Sequence, residues 1–375
     1  MKPIMVGIAS VTLCGIAAAA AFRAHPPAEN WNPNAAAAYL DYREGWWKNW
    51  PRASKDHGTF CVSCHTVLPY ALSRPKLRAA LRESDFSANE RSLIESVRTR
   101  VRLWNEVYPY YGQMADQARG TEAVLNALIL ANYDAETGRL SPDTRSAFEH
   151  MWATQLREGT NKGRWLWIQF GNEPWEAPDS AYYGTVLAAA AVGIAPEDYR
   201  TSPEIQPSVR LMNDYLVRES AKQSLMNRVI LLWASGKLPG ILDAQQQKAI
   251  MDEAFAKENA DGGWSTSSLI EGWKRGDGTR QPTESDGYAT GQAVLALTQA
   301  SLSPNDARLE RARAWLIRNQ SWWDGHWPAY SLNKRHYNPL EGGARFMDDA
   351  ATAYAVLALT EPEKTSSNET AVASQ

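Results

Sequence analysis

The chain has 375 residues, a formal net charge of −3 and 44% hydrophobic residues, with 24 glycines and 20 prolines, which is the make-up of a folded globular protein. This excludes a disordered or fibrous chain. The near-neutral charge and the lack of any long Lys/Arg run leave no electrostatic footprint for DNA or RNA, so no nucleic-acid partner is expected.

Residues 3–22 form an uncharged, largely apolar run behind Lys2, ending in small residues that include Ala19 and Ala21. This pattern predicts a secretory signal peptide over 1–24, or an N-terminal anchor if it is retained. In either case a periplasmic or secreted protein is expected, touching membrane only through this segment. Cys14 follows Leu13, which is larger than the small residue a lipidation site would place there.

Residues 25–114 read as an N-terminal helical region, with a first pair of helices near 35–50 and 67–82. Between them lies Phe60-Cys61-Val62-Ser63-Cys64-His65-Thr66, which contains C-x-x-C-H. Two thiols at this spacing suit thioether bonds to the two vinyl groups of one porphyrin, and the adjacent imidazole of His65 suits axial binding of the iron. Cys61 and Cys64 are the only cysteines after the leader. Covalent haem c is therefore the expected cofactor, in an exported protein of electron transfer or redox chemistry with a redox partner protein. A disulfide or redox pair and a metal site are the alternative readings of the same residues. A zinc site would need two further ligands. Candidates for the sixth iron position are His57, Met114, His326, His336 and Met347. Trp46, Trp47 and Trp50 are placed either to cover a porphyrin face or as ordinary core.

From residue 87 onward, helices of two kinds alternate. Segments near 87–107, 141–156, 203–217, 243–259 and 305–319 are amphipathic. Those near 115–133, 179–193, 219–236, 286–301 and 347–360 are rich in Ala, Leu and Val on nearly every face. Start signals support several of them: Ser87 with Glu90, and the pairs Ser141-Pro142, Ser202-Pro203 and Ser303-Pro304. The apolar set must be buried, so it predicts inner helices ringed by outer ones. With the first pair, about six outer/inner pairs close an all-α α/α toroid, whose repeats are clearest over 115–360. Asp179, Asp286 and Asp349 each open an inner helix and are expected to be N-caps. Loops over 157–178, 260–285 and 320–346 all exceed 20 residues and meet at one mouth, carrying many of the 16 tryptophans and the acids Glu173, Glu176, Glu271, Asp277 and Glu284. Those acids and rings also admit a sugar-binding reading. The tail 361–375 is polar and expected to be disordered.

Within this array, Arg311-Ala312-x-x-Trp315-Leu316-x-x-x-Gln320-x-x-x-x-Gly325-x-Trp327 resembles the QW repeat of squalene-hopene cyclases and related terpenoid cyclases. Asn259-x-x-Gly262-x-Trp264 is similar to a degenerate copy, and Gln155 with Gly163-x-Trp165 to a third. The resemblance implies a terpenoid cyclase-like toroid in which the QW residues tie outer helices together. It also implies a place for a catalytic acid, since class II cyclases carry D-x-D-D at the start of an inner helix. The matching stretch here is Phe346-Met347-Asp348-Asp349, so Asp348 aligns with the acid, Asp349 with its neighbour, and Phe346 replaces the first aspartate. The alternative function is accordingly a non-haem binding or scaffold toroid, or an isoprenoid cyclase-like protein with Asp348 as proton donor and a hydrophobic ligand in its cavity.

Overall fold

The computed structural model describes residues 30–300, 306–334 and 342–361. The leader over 1–24, Ser303-Pro304, His336 and the tail beyond residue 361 lie outside the described residues. Among those described, regular structure is helical: α1 (Pro33–Lys48), α2 (Val67–Leu81), α3 (Ala88–Arg102), α4 (Ala115–Thr137), α5 (Pro142–Ala153), α6 (Ser180–Ile194), α7 (Gln206–Ser220), α8 (Leu225–Lys237), α9 (Ala244–Ala256), the single turn α10 (Thr266–Leu269), α11 (Gly287–Gln299), α12 (Ala307–Asn319) and α13 (Phe346–Thr360). No described helix is long and apolar enough to cross a membrane.

Several helices begin where a side chain satisfies their first free N–H groups. Ser87 and Glu90 form a reciprocal capping box at α3, Ser141 accepts from Thr144 N at α5, and Asp243 with Gln246 makes a second capping box at α9. Ser202 makes no side-chain cap; Pro203–Ile205 form a 3₁₀ turn, and α7 starts only at Gln206.

Packing arranges these helices as two concentric rings. The inner helices follow one another as α2, α4, α6, α8, α11 and α13, and α13 returns to α2. Of the outer helices, α1 lies against α2 and α13, α3 against α2 and α4, α5 against α4, α7 against α6, α9 against α8, and α12 against α11 and α13. The inner helices are buried on nearly every face, as their composition requires: α6 and α13 leave almost no side chain in water. Their small residues let backbones meet. A Cβ at Gly291 in α11 would stand 2.8 Å from Ala355 N in α13.

Three turns after outer helices repeat one device. The indole N–H of Trp165 donates to Met151 O at 2.6 Å, that of Trp264 to Ala254 O at 2.6 Å, and that of Trp327 to Leu316 O at 2.7 Å. Each ring thus satisfies a carbonyl at the end of the helix before it. Gln155 Nε2 bonds Gly163 O and Ser208 O, joining the end of α5 to α7; Gln320 Nε2 bonds Gly325 O and Asn32 O, joining the end of α12 to α1. Asn259 is too short for that span and bonds Thr283 O and Ser285 Oγ in its own loop.

Candidate functional site at the mouth of the toroid

The C-x-x-C-H motif lies just before α2, at the end of the ring where the inner helices begin. Its approach is pinned from several sides. Arg100 of α3 is fully buried and donates to Asp56 Oδ1 (3.1 Å), Thr59 Oγ1 (3.0 Å), Tyr108 O (2.6 Å) and the buried carboxylate of Glu122 in α4. Cys61 N donates to Ala53 O, and Trp47 Nε1 in α1 donates to Cys61 O at 2.7 Å. Ser63 Oγ accepts from Thr66 N and Val67 N, which starts α2 directly after the motif.

Cys61 and Cys64 are unbonded thiols, 5% and 8% exposed. Burial pushes the Cys61 thiol up to about 12 and raises Cys64 as well, so both are neutral. The imidazole of His65 stacks on Phe346 at 3.6 Å between centroids, with Trp47 edge-on at 4.9 Å and Trp175 at 5.7 Å. Trp175 in turn packs on Tyr288, so the starts of α2, α6, α11 and α13 gather around one aromatic cluster. Trp46 and Trp50 stack on each other and tilt against Phe346 at its outer side. Desolvation drives the His65 pKa down to about 3, so the ring is neutral.

Its tautomer follows from a chain of hydrogen bonds. Thr66 Oγ1 donates its single proton to Asp349 Oδ2 at 2.6 Å, so its 2.9 Å contact with His65 Nδ1 is one in which the hydroxyl accepts. Nδ1 therefore carries the proton and Nε2 keeps its lone pair. Asp349 is held as an acceptor by Arg43 through Nε (2.6 Å) and Nη2 (2.9 Å), and by Tyr39 Oη (2.9 Å). Burial raises the pKa of Asp349 while the Arg43 guanidinium works the other way.

The two aspartates of the 346–349 stretch thus have separate environments. Asp349 is bound up in this network. Asp348 accepts from Ala329 N at 3.0 Å, stands 3.9 Å from His326 Nε2, and is raised to about 6 by burial. Where the first aspartate of the cyclase motif would lie, Phe346 presses on His65.

The other sixth-ligand candidates are scattered. His57 is exposed on the approach loop beside Asp56, at 3.5 Å. Met114 is half-buried at the start of α4. His326 is hydrogen-bonded to Asp324 and stacks on Tyr39 at 5.4 Å. Met347 is buried in the first turn of α13. His336 lies outside the described residues. No three His, Cys, Asp or Glu side chains among the described residues gather as a metal cage.

Of the acids expected at the mouth, Glu271 pairs with Lys257, Asp277 accepts from Thr279, and Glu284 accepts from Thr283 N. Glu173 and Glu176 are raised to about 7 by burial. Arg43, Tyr39, Thr66, Arg100 and Glu122 were not singled out from sequence. Glu122, a carboxylate inside an apolar inner helix, was the one legible sign of a buried ion pair.

No protein-family profile and no curated protein matches the chain. Among solved structures it is similar to an unsaturated glucuronyl hydrolase from Streptococcus agalactiae, at 12% identity and a TM-score of 0.53, over 89% of this chain and 93% of that one. At this identity the likeness is one of architecture. The chain is an all-α protein with an α/α toroid fold.

Proposed function

We propose that this chain is an exported c-type haem protein in which the toroid serves as the frame for a covalently held haem used in electron transfer or redox chemistry. The observation that carries the reading is the hydrogen-bond chain His65–Thr66–Asp349. It leaves Nε2 as the nitrogen with a free lone pair, as an iron ligand requires, and supplies the carboxylate support that tunes such a ligand. Two neutral, unbonded thiols lie at the required spacing beside it. Cys61 and Cys64 would hold the porphyrin and His65 the iron; the haem would supply one-electron exchange. The protein's own part is to fix the imidazole through Thr66 and Asp349, and to keep water from it with Trp47, Trp175 and Phe346.

The three QW-like turns further support descent from a terpenoid cyclase-like toroid. A second reading rests on Asp348, whose pKa near 6 and neighbour His326 suit a proton donor to an isoprenoid. Against it, Asp349 is neutralised by Arg43 and Phe346 contributes no carboxylate.

The test is a visible spectrum with an intact mass on protein made in a host that matures c-type cytochromes. The expected result is a haem that survives denaturation and is absent from a Cys61→Ala, Cys64→Ala double variant. A colourless protein at apo mass, in a host that labels a control cytochrome, would sink the reading.

A further inference from the structure

The rim of the mouth is uneven. Outer-to-inner connections in the third and fifth repeats are long, but α7 and α8 are joined by only residues 221–224, which leaves a notch between the neighbouring loops. The notch is a cavity of about 540 Å³ lined by Glu173 and Asp179 from one side, Lys222 to Leu225 and Arg228 from the short link and α8, and Glu253, Lys257 and residues 268–273 from the other.

The charges on its walls are almost all committed. Arg228 forms a two-pronged pair with Glu253 at 2.5 and 2.6 Å, Lys257 pairs with Glu271, and Lys222 pairs with Glu219 at 2.8 Å. Two carboxylates remain. Among the described residues the carboxylate of Glu173, a residue 9% exposed, has no partner, and the only side-chain donor to Asp179 is the neutral amide of Asn227, at 3.2 Å. Asp179 was expected to cap α6, and its side chain makes no such bond.

Glu173 is held beside an aromatic surface by a single residue. Asn333 Oδ1 accepts from Glu173 N (3.0 Å) and from Trp273 Nε1 (3.2 Å), while its Nδ2 donates to Glu173 O (2.6 Å). The half-buried Trp273 is thus anchored by its edge, and its faces carry no ring or cation among the described residues.

We propose that this notch binds an organic ammonium ion, with Glu173 and Asp179 as counter-charges and Trp273 as the surface for its alkyl or cationic part. A buried carboxylate without a counter-charge is unfavourable, and an arriving cation removes that penalty while the indole face attracts it. An anion would meet two like charges at the floor of the cavity. A neutral ligand would leave both acids uncompensated. The size suits a small molecule. Burial and the neighbouring Asp179 raise Glu173 to about 7, consistent with a carboxylate lacking its partner. This site shares no lining residue with the C-x-x-C-H motif, and the proposal stands or falls independently of the haem reading.

The experiment is calorimetric titration of the full mature chain at pH 8 with 1,4-diaminobutane, with 1,4-butanediol as the uncharged control of similar length. Saturable 1:1 binding of the diamine and none of the diol is expected. Glu173→Gln and the isosteric Asp179→Asn should each weaken it at least ten-fold, and Trp273→Ala several-fold. Glu173→Gln should melt no lower than the parent at pH 8, which separates lost charge from lost fold. No saturable diamine binding, equal binding of the diol, or undiminished binding in both acid variants overturns the proposal.

Discussion

Asn32 and Gln320, 288 positions apart, exchange two hydrogen bonds: Asn32 N donates to Gln320 Oε1 at 2.6 Å, and Gln320 Nε2 donates to Asn32 O at 3.0 Å. This reciprocal amide pair joins the last outer helix to the first. Gly325 seats the same seam, since a Cβ there would collide with the backbone of Ala35.

Gln320→Ala is expected to destabilise the protein by about 1 kcal/mol, because it removes the partners of the Asn32 N–H and the Gly325 carbonyl, while Asn32 O keeps its bond from Ala36 N. Urea unfolding measures it. A change below about 0.5 kcal/mol, the level of an ordinary surface substitution, would show that the seam is held by packing alone.

Asp349→Ala should cost more, about 3–5 kcal/mol, since it leaves the buried Arg43 guanidinium without its carboxylate. The double variant Arg43→Leu, Asp349→Leu should lose clearly less than the sum of the single leucine changes. Additive losses in that double-mutant cycle would contradict the coupling.

Thr66→Val keeps the shape of the side chain and removes the hydroxyl between His65 and Asp349. In protein lacking haem, ¹⁵N spectra should show His65 protonated at Nδ1, and a mixture of tautomers in the variant. An Nε2-protonated ring in the parent chain would refute the assigned direction of the chain.

Glu44 gives a pH signature. It is fully buried, neither carboxylate oxygen has a hydrogen-bond partner among the described residues, and burial lifts its pKa to about 8 from the ordinary 4.5, with Lys48 opposing and Asp349 and Asp41 adding. A folded-state pKa above the unfolded one means that the native state holds the proton more tightly. Its stabilising contribution is complete below pH 4.5 and is lost as pH rises towards 8. Glu44→Gln should therefore match the parent near pH 4 and exceed it by about 2–4 kcal/mol near pH 9. Melting curves across that range test it, and a gain that does not grow with pH would place Glu44 in water.

The alternation of outer and inner helices was readable because helical periodicity is a local property of sequence, and so was the C-x-x-C-H spacing. The roles of Asp179, Asp286 and Asp349 were not. All three precede similar apolar helices and look alike as caps. Only Asp286 caps with its side chain, to Tyr288 N and Ala289 N, and it holds Thr266 as well. Asp349 is claimed by Arg43, 306 positions away, and Asp179 faces the rim notch. Partners that arrive from distant repeats decide such cases, and no local pattern encodes them. The same is true of Phe346: its place in a cyclase-like motif was visible, but its stacking on His65 required the ring to close.

The near-contact of Gly291 with the backbone of α13 bears on time as well as space. Inner helices that meet main chain to main chain have no side-chain layer to slide on, so one cannot turn or shift past the other without opening both. Along the α11–α13 seam a shift therefore requires both helices to open together, whereas segment 221–224 is a loop, the class of segment that rearranges in nanoseconds to microseconds. Whatever enters or leaves the mouth does so on the clock of its loops, against a wall that stands still.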